Sequence, residues 1–309
     1  MIWSMFNKQG KFENSLLCNI YACCKRNSGI PILARGSSPD RPNTIIERIE
    51  RSVEEPMTND STLVTYAGDW GIEETDNGTV IKDPHRKTPY FNIDIQQIAS
   101  NVRRWFTTNL KKDIHEKIYP VPINAFIGNW RNIKINPLRD IKKDKLCYAN
   151  FTITSNYRIT LAEWAWRQNF IDCKFFMQTE GQDESLRMTI LEKGSSRLSM
   201  DDFTKTLASY NFCLCPVGNG LDTYKTWECI ICNTVPIVQR SWMNLVFSKI
   251  WPMILVDRYE LDNIEDKMKK FQDDHGSIEY DHSLLLEGNF NKLLDRIQHE
   301  SDRLRRERV

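Results

Sequence analysis

From Leu146 onward the apolar positions fall into short runs separated by stretches with helical spacing. The runs are 146–151 (LCYANF), 173–178 (CKFFMQ), 212–216 (FCLCP), 234–238 (TVPIV) and 252–256 (PMILV). Short apolar runs bounded by turn signals read as strands buried on both faces. Between them, 155–168, 200–210, 222–232 and 260–272 carry helical spacing, the first with Ser155 or Asn156 as its cap. Strands alternating with helices imply right-handed crossovers and a mostly parallel sheet, so this half reads as a Rossmann-like domain.

The first half has fewer signals. Residues 61–69 (STLVTYAGD) read as a buried strand, 93–112 as a helix and 121–128 (VPINAFIG) as another strand, together a smaller α/β domain. Residues 1–60 are expected to hold one or two helices, with 35–43 a loop. The lysine-rich 139–145 is read as a hinge, dividing the chain into domains at 1–140 and 141–309. The final segment, 282–309, reads as a helix whose charged end is a solvated face.

Composition changes this picture little. Of 309 residues, 40% are hydrophobic and 27% charged, as in ordinary globular proteins. The net charge of +1 speaks against a nucleic-acid binder working by bulk electrostatics. No signal peptide is evident, and the longest apolar region is cut by Lys249 and Pro252, so a soluble cytoplasmic protein without a membrane span is expected. Nine cysteines, an odd number, fit free thiols in a reducing compartment. Cys213, Cys215, Cys229 and Cys232 have a spacing that a zinc ion could use. Structural zinc more often staples small loop-rich folds, so packing cysteines and no metal are expected. Sequons at Asn59, Asn77 and Asn150 carry no weight without a secretory signal.

Chemistry concentrates in Asn211–Val238, NFCLCPVGNGLDTYKTWECIICNTVPIV. Gly218, Asn219 and Gly220 form a turn where the backbone can approach a ligand closely. Asp222 and Thr223 are good N-caps, and the helix they open offers unpaired amides to an anion, with Lys225 in its first turn. Glu228 stands in the middle of that otherwise apolar helix. A dinucleotide fingerprint is a poor match, because the third glycine is missing. Taken singly, Glu228 reads equally well as a buried acid paired with a neighbouring base, and Lys225 as solvated.

This stretch resembles the donor-site signature of exostosin-like glycosyltransferases (glycosyltransferase family 47), virus- and alga-encoded members especially. The resemblance continues to 251–261 (WPMILVDRYEL), and 148–158 (YANFTITSNYR) is similar to the family's strand, loop and helix-opening arginine, here Arg158. It covers about the C-terminal half of the chain. It implies a GT-B-like α/β fold, two Rossmann-like domains facing a cleft, with the C-terminal domain binding a nucleotide-sugar donor, UDP-linked, for inverting transfer to a glycan or glycoprotein acceptor. Glu228 would accept hydrogen bonds from the vicinal ribose hydroxyls, while Arg158, Lys225 and the helix amides meet the pyrophosphate. The sequence departs from the pattern at Asn233, which tolerates a left-handed cap, and at Lys225, which lacks arginine's bidentate grip. No Asp-x-Asp occurs in the chain, so no metal cofactor is expected.

For the general base, Asp69 at the end of 61–69 is the candidate, against a plain Asx-turn role. Glu73, Glu74, Asp83 and His85, in what reads as a long polar loop, are alternatives, and Trp70 and Trp130 are candidate sugar platforms. The competing reading is a non-catalytic nucleotide- or glycan-binding domain of the same fold.

Overall fold

The computed structural model describes residues 32–34, 62–66, 71–75, 78–82, 91–92, 95–100, 103–123, 138, 140–177, 198–218, 220–285 and 289–308. Two parallel sheets organise them, the α/β class expected from the sequence. The first has the order β1-β2-β6-β7: β1 (Ile32–Ala34), β2 (Thr62–Tyr66), β6 (Arg104–Thr107) and β7 (Ile118–Pro120). Between β2 and β6 come a three-stranded antiparallel sheet, β3 (Gly71–Thr75), β4 (Gly78–Lys82) and β5 (Phe91–Asn92), and helix α1 (Ile95–Ser100).

Three expectations for this half are corrected. Residues 93–112 are not one helix: α1 stops at Ser100, and Arg104–Thr107 form a strand. Trp105 and Phe106 are fully buried there, paired with β2 on one side and β7 on the other. Buried pairing on both edges outweighs the helical spacing of the flanking residues. Of the strand expected at 121–128, residues 121–123 are not strand, and 124–128 lie outside the described residues; the described strand β7 ends before it, at Pro120. Glu73 and Glu74 belong to β3, not to a polar loop.

The second sheet is larger. It comprises β8 (Lys145–Ile153), β9 (Ile171–Met177), β10 (Tyr210–Cys215), β11 (Val235–Gln239) and β12 (Ile254–Val256). Their order is β12-β11-β10-β8-β9, all parallel. Chain order therefore reverses between β8 and β10, a doubly wound topology whose switch point lies between those two strands. Helices α2 (Asn156–Trp166), α3 (Met200–Ala208), α4 (Tyr224–Ile231), α5 (Trp242–Phe247) and α6 (Ile264–His275) make or follow the crossovers. Ser155, Ser199, Ser241 and Asn263 each accept a backbone N–H of the first turn of α2, α3, α5 and α6.

Period-two alternation sorts the strands' side chains onto two cores. Ala149, Phe151, Phe212, Leu214 and Ile237 face α2 and α6. Tyr148, Cys213, Cys215 and Val238 belong to a cluster that continues through α4 and α5 to Trp105, Phe106, Ile118 and Tyr119 of the first sheet. The last helix, α7 (Phe290–Arg306), adds Leu293, Leu294 and Ile297 to it. Its charged end is not simply a solvated face. Arg305 donates to Asp113 at 2.7 Å and to the carbonyls of His115 and Ile118, and lies over the Tyr119 and Trp242 rings. Among the described residues, no helix is long and apolar enough to cross a membrane.

Candidate functional site

Open parallel sheets leave a crevice beyond the carboxyl ends of their strands, at the switch point. Here that position holds a cavity of ≈ 410 Å³. Asn150, Phe151 and Thr152 of β8 and Phe176 of β9 form its sheet side. Arg158 enters from α2, Leu198, Met200 and Phe203 from α3 and the residues before it, and Thr223, Tyr224, Lys225 and Glu228 from α4. The amino ends of α2 and α4 both point into the crevice, since each follows a strand that ends there.

Glu228 is 4% exposed, at the cavity wall. Its Oε2 lies 3.1 Å from Lys225 Nζ, one helical turn back. Lys225 Nζ is also 3.3 Å from Asn150 Oδ1 and sits 3.9 Å above the centre of the Phe203 ring. Burial by itself would lower the Lys225 pKa, but the Glu228 carboxylate and nearby thiols more than offset it, and the pKa is raised. The lysine is thus a fixed cation inside the cavity, not a solvated one.

Arg158 is 8% exposed, although α2 would be expected to carry it on its surface. Its Nε donates to Val217 O at 2.9 Å, Nη1 to Thr152 O at 2.7 Å and Nη2 to Pro216 O at 3.0 Å. One guanidinium therefore ties the end of β8 to the loop after β10 and places its charge at the switch point.

The glycines explain how that loop closes. A Cβ on Gly218 would stand 3.0 Å from Arg158 Nη2, and one on Gly220 would stand 2.7 Å from Asn109 Oδ1. Neither residue lines the cavity; Gly218 makes room for Arg158, which does, and Gly220 for Asn109. Asp222 also turns away. Its Oδ2 accepts from Ile123 N at 2.6 Å and its Oδ1 from Trp227 Nε1 at 2.8 Å, while its own N–H donates to Asn109 Oδ1 at 2.8 Å. Thr223, not Asp222, is the N-cap of α4, without a side-chain cap bond. Burial pushes the Asp222 pKa up to about 7, against the pull of the Ile123, Trp227 and Thr223 N–H groups. Asn233 ends α4 at φ 56°, the left-handed cap that an asparagine accepts.

Of the residues singled out from sequence, the structure brings Arg158, Thr223, Lys225 and Glu228 around one cavity and leaves Gly218, Gly220 and Asp222 out of its lining. Asn219, Asp69, Trp70, Asp83, His85 and Trp130 lie outside the described residues. Asn150, Phe176, Met200 and Phe203 were not anticipated as lining. For Asn150 a signal existed: it sits near the end of the strand that borders the switch point.

No protein-family model matches the chain, and no curated protein does. Solved structures with similarity include one described as the GtfA/B complex, at a TM-score of 0.45 and 12% identity, covering 92% of this chain. This chain spans 60% of that one. Another is AviGT4, a glycosyltransferase involved in avilamycin A biosynthesis, at a TM-score of 0.42 and 8% identity over 92% of this chain and 89% of that one. A UDP-N-acetylglucosamine 2-epimerase aligns at 0.37 and 8%, over 85% and 74%.

Proposed function

We propose that this protein is a glycosyltransferase of the exostosin-like kind, taking a sugar from a UDP-linked donor bound at the β8/β10 switch point. The observation that carries the reading is a buried carboxylate, Glu228, held in the wall of a cavity flanked by two helix amino ends. A fixed carboxylate there suits the vicinal hydroxyls of a ribose, since it accepts two hydrogen bonds and donates none. Lys225 holds that carboxylate from the other side. Phe176, Leu198, Met200 and Phe203 give the cavity an apolar wall for a flat base.

The diphosphate lies toward the amino ends of α2 and α4. Because Arg158 is tied to three carbonyls, it acts through its field and by fixing the loops rather than as a mobile clamp. Positive potential there favours the charge that gathers on the leaving diphosphate as the glycosidic bond breaks. A base, Asp69 in this proposal, takes the acceptor hydroxyl's proton. That oxygen forms the new bond to the anomeric carbon, and UDP departs with the old bonding pair, inverting the centre. No divalent ion takes part, and the acceptor is a glycan or glycoprotein.

The test is a thermal-shift screen of UDP- and GDP-sugars, followed by measurement of nucleotide release. Stabilisation by UDP and slow release of UDP from one sugar donor is the expected outcome. Stabilisation without release from any donor would leave a binding domain, and no stabilisation by any nucleotide would overturn the site.

A further inference from the structure

We propose that Cys213, Cys215 and Cys229 together hold one thiophilic d¹⁰ metal ion, of the zinc or copper(I) class, as a structural clip between β10 and α4. The three sulfurs come from two elements by simple periodicity. Residues 213 and 215 are two apart on a strand and so share a face, and α4 lies across that face. All three Sγ atoms fall within 4.8 Å of one another, and Cys215 and Cys229 are 3.5 Å apart. A metal–sulfur bond of about 2.3 Å places the sulfurs of a three-coordinate ion roughly 4 Å apart, inside that range.

Chemistry selects the ion. The donor set is sulfur alone, which favours zinc or copper(I) over the oxygen-loving magnesium, calcium and manganese. The residues are 0%, 3% and 0% exposed, so the sulfurs are shielded from solvent, and zinc would need a fourth ligand beyond these three. Cys232 does not complete a four-sulfur set: its Sγ faces Thr204 O at 3.7 Å. Binding converts each thiol to a thiolate, releasing its proton to solvent. Three thiolates leave one negative charge around zinc(II) and two around copper(I), and the Lys225 ammonium, which also pairs with Glu228, offsets only part of it. Cys229 follows Glu228 directly, so the clip would also fix the wall of the cavity. The ion is a staple and no participant at the diphosphate, and the proposal stands or falls separately from the nucleotide reading.

The experiment is elemental analysis of the full chain, expressed with zinc and copper supplied and desalted through EDTA under reducing conditions. The expected result is about one ion per chain, with its element distinguishing the two classes. Cys213→Ala with Cys229→Ala should lower the content at least tenfold, while Cys232→Ala keeps it. Should the double variant fail to fold, the wild-type chain refolded with cadmium must show an ultraviolet thiolate-to-cadmium charge-transfer band. Less than about a tenth of an equivalent in the wild type together with no cadmium band, or unchanged metal in a folded double variant, overturns the proposal. So does a Cys215–Cys229 disulfide found in the protein as isolated.

Discussion

Glu228→Gln separates a ribose ligand from a structural acid. The substitution keeps volume and one acceptor oxygen but removes the charge that faces Lys225 at 3.1 Å, where the two side chains are 15% and 5% exposed. Removing one partner of a buried pair typically costs ~3–5 kcal/mol. Here the Phe203 ring and the Asn150 amide still hold the ammonium, so ~1–3 kcal/mol is expected. That is a fall of several degrees in Tm, at roughly 2–4 °C per kcal/mol for a domain of this size. The stability loss alone says nothing about the ligand. The ligand signal is a difference between nucleotides: UDP against 2′-deoxy-UDP, by calorimetric titration at a temperature where both proteins are folded. One hydroxyl donating to a carboxylate is worth ~1.5–3 kcal/mol, so the wild type should favour UDP by about 10- to 150-fold. In Glu228→Gln that preference should shrink to within about threefold, the remainder of a coupling that a double-mutant cycle measures. Equal preference in both proteins would mean that Glu228 serves only as the counterion of Lys225.

Other outcomes follow from the same geometry. Activity should persist in EDTA, because the cavity offers cationic groups and helix amides to the diphosphate; strict dependence on added manganese would contradict the mechanism. Asp69→Asn should leave UDP affinity unchanged and lower kcat by ~10²–10⁴, the usual contribution of a placed general base; near-normal turnover would move the search to Glu73, Glu74, Asp83 and His85. Gly220→Ala should cost ~1–3 kcal/mol in denaturant unfolding, since its Cβ would meet Asn109 Oδ1 at 2.7 Å while that oxygen accepts the Asp222 N–H. For Asp222 the folded pKa is raised from 3.8 to about 7, so its contribution to stability is greatest below the unfolded value and is lost as pH rises through about 7. Unfolding free energy measured from pH 4 to 8 should therefore decline more steeply in the wild type than in Asp222→Asn.

The second sheet was legible because its strands are continuous apolar runs punctuated by capped helices, and each of its five strands overlaps an expected run. The first was not, for local reasons. Arg104–Thr107 sits beside residues with helical spacing, and only its pairing with β2 and β7 makes it a strand. The motif around Glu228 was visible, yet the roles inside it were mixed. Sequence treats Gly218, Gly220, Asp222 and Lys225 as neighbours of one ligand. In three dimensions the glycines yield to Arg158 and Asn109, which lie 60 and 111 residues upstream of Gly218 and Gly220. Nothing local to the loop announces those partners. Asn109 itself has φ 56° and belongs to the turn after β6, a position that only the assembled halves make meaningful.

That turn also links the site to the rest of the chain. The loop between β10 and α4 touches the cavity through Thr223 and touches the first unit through Asp222, Ile123 and Asn109. At the opposite end of α5's sequence neighbourhood, Trp242 N and Met243 N donate to Lys111 O and Leu110 O, two residues beyond the same turn. Arg305 then closes the arrangement from α7 onto Asp113. The stretch 109–113 is thus gripped by three separate parts of the C-terminal half. A ligand that orders the β10–α4 loop must act on the same backbone that carries the first sheet. Any acceptor held by that sheet would then be positioned through a few hydrogen bonds between buried groups. Asp222 is the residue in which the two tasks meet: one oxygen steadies the Trp227 indole within α4, and the other holds the Ile123 amide of the first unit.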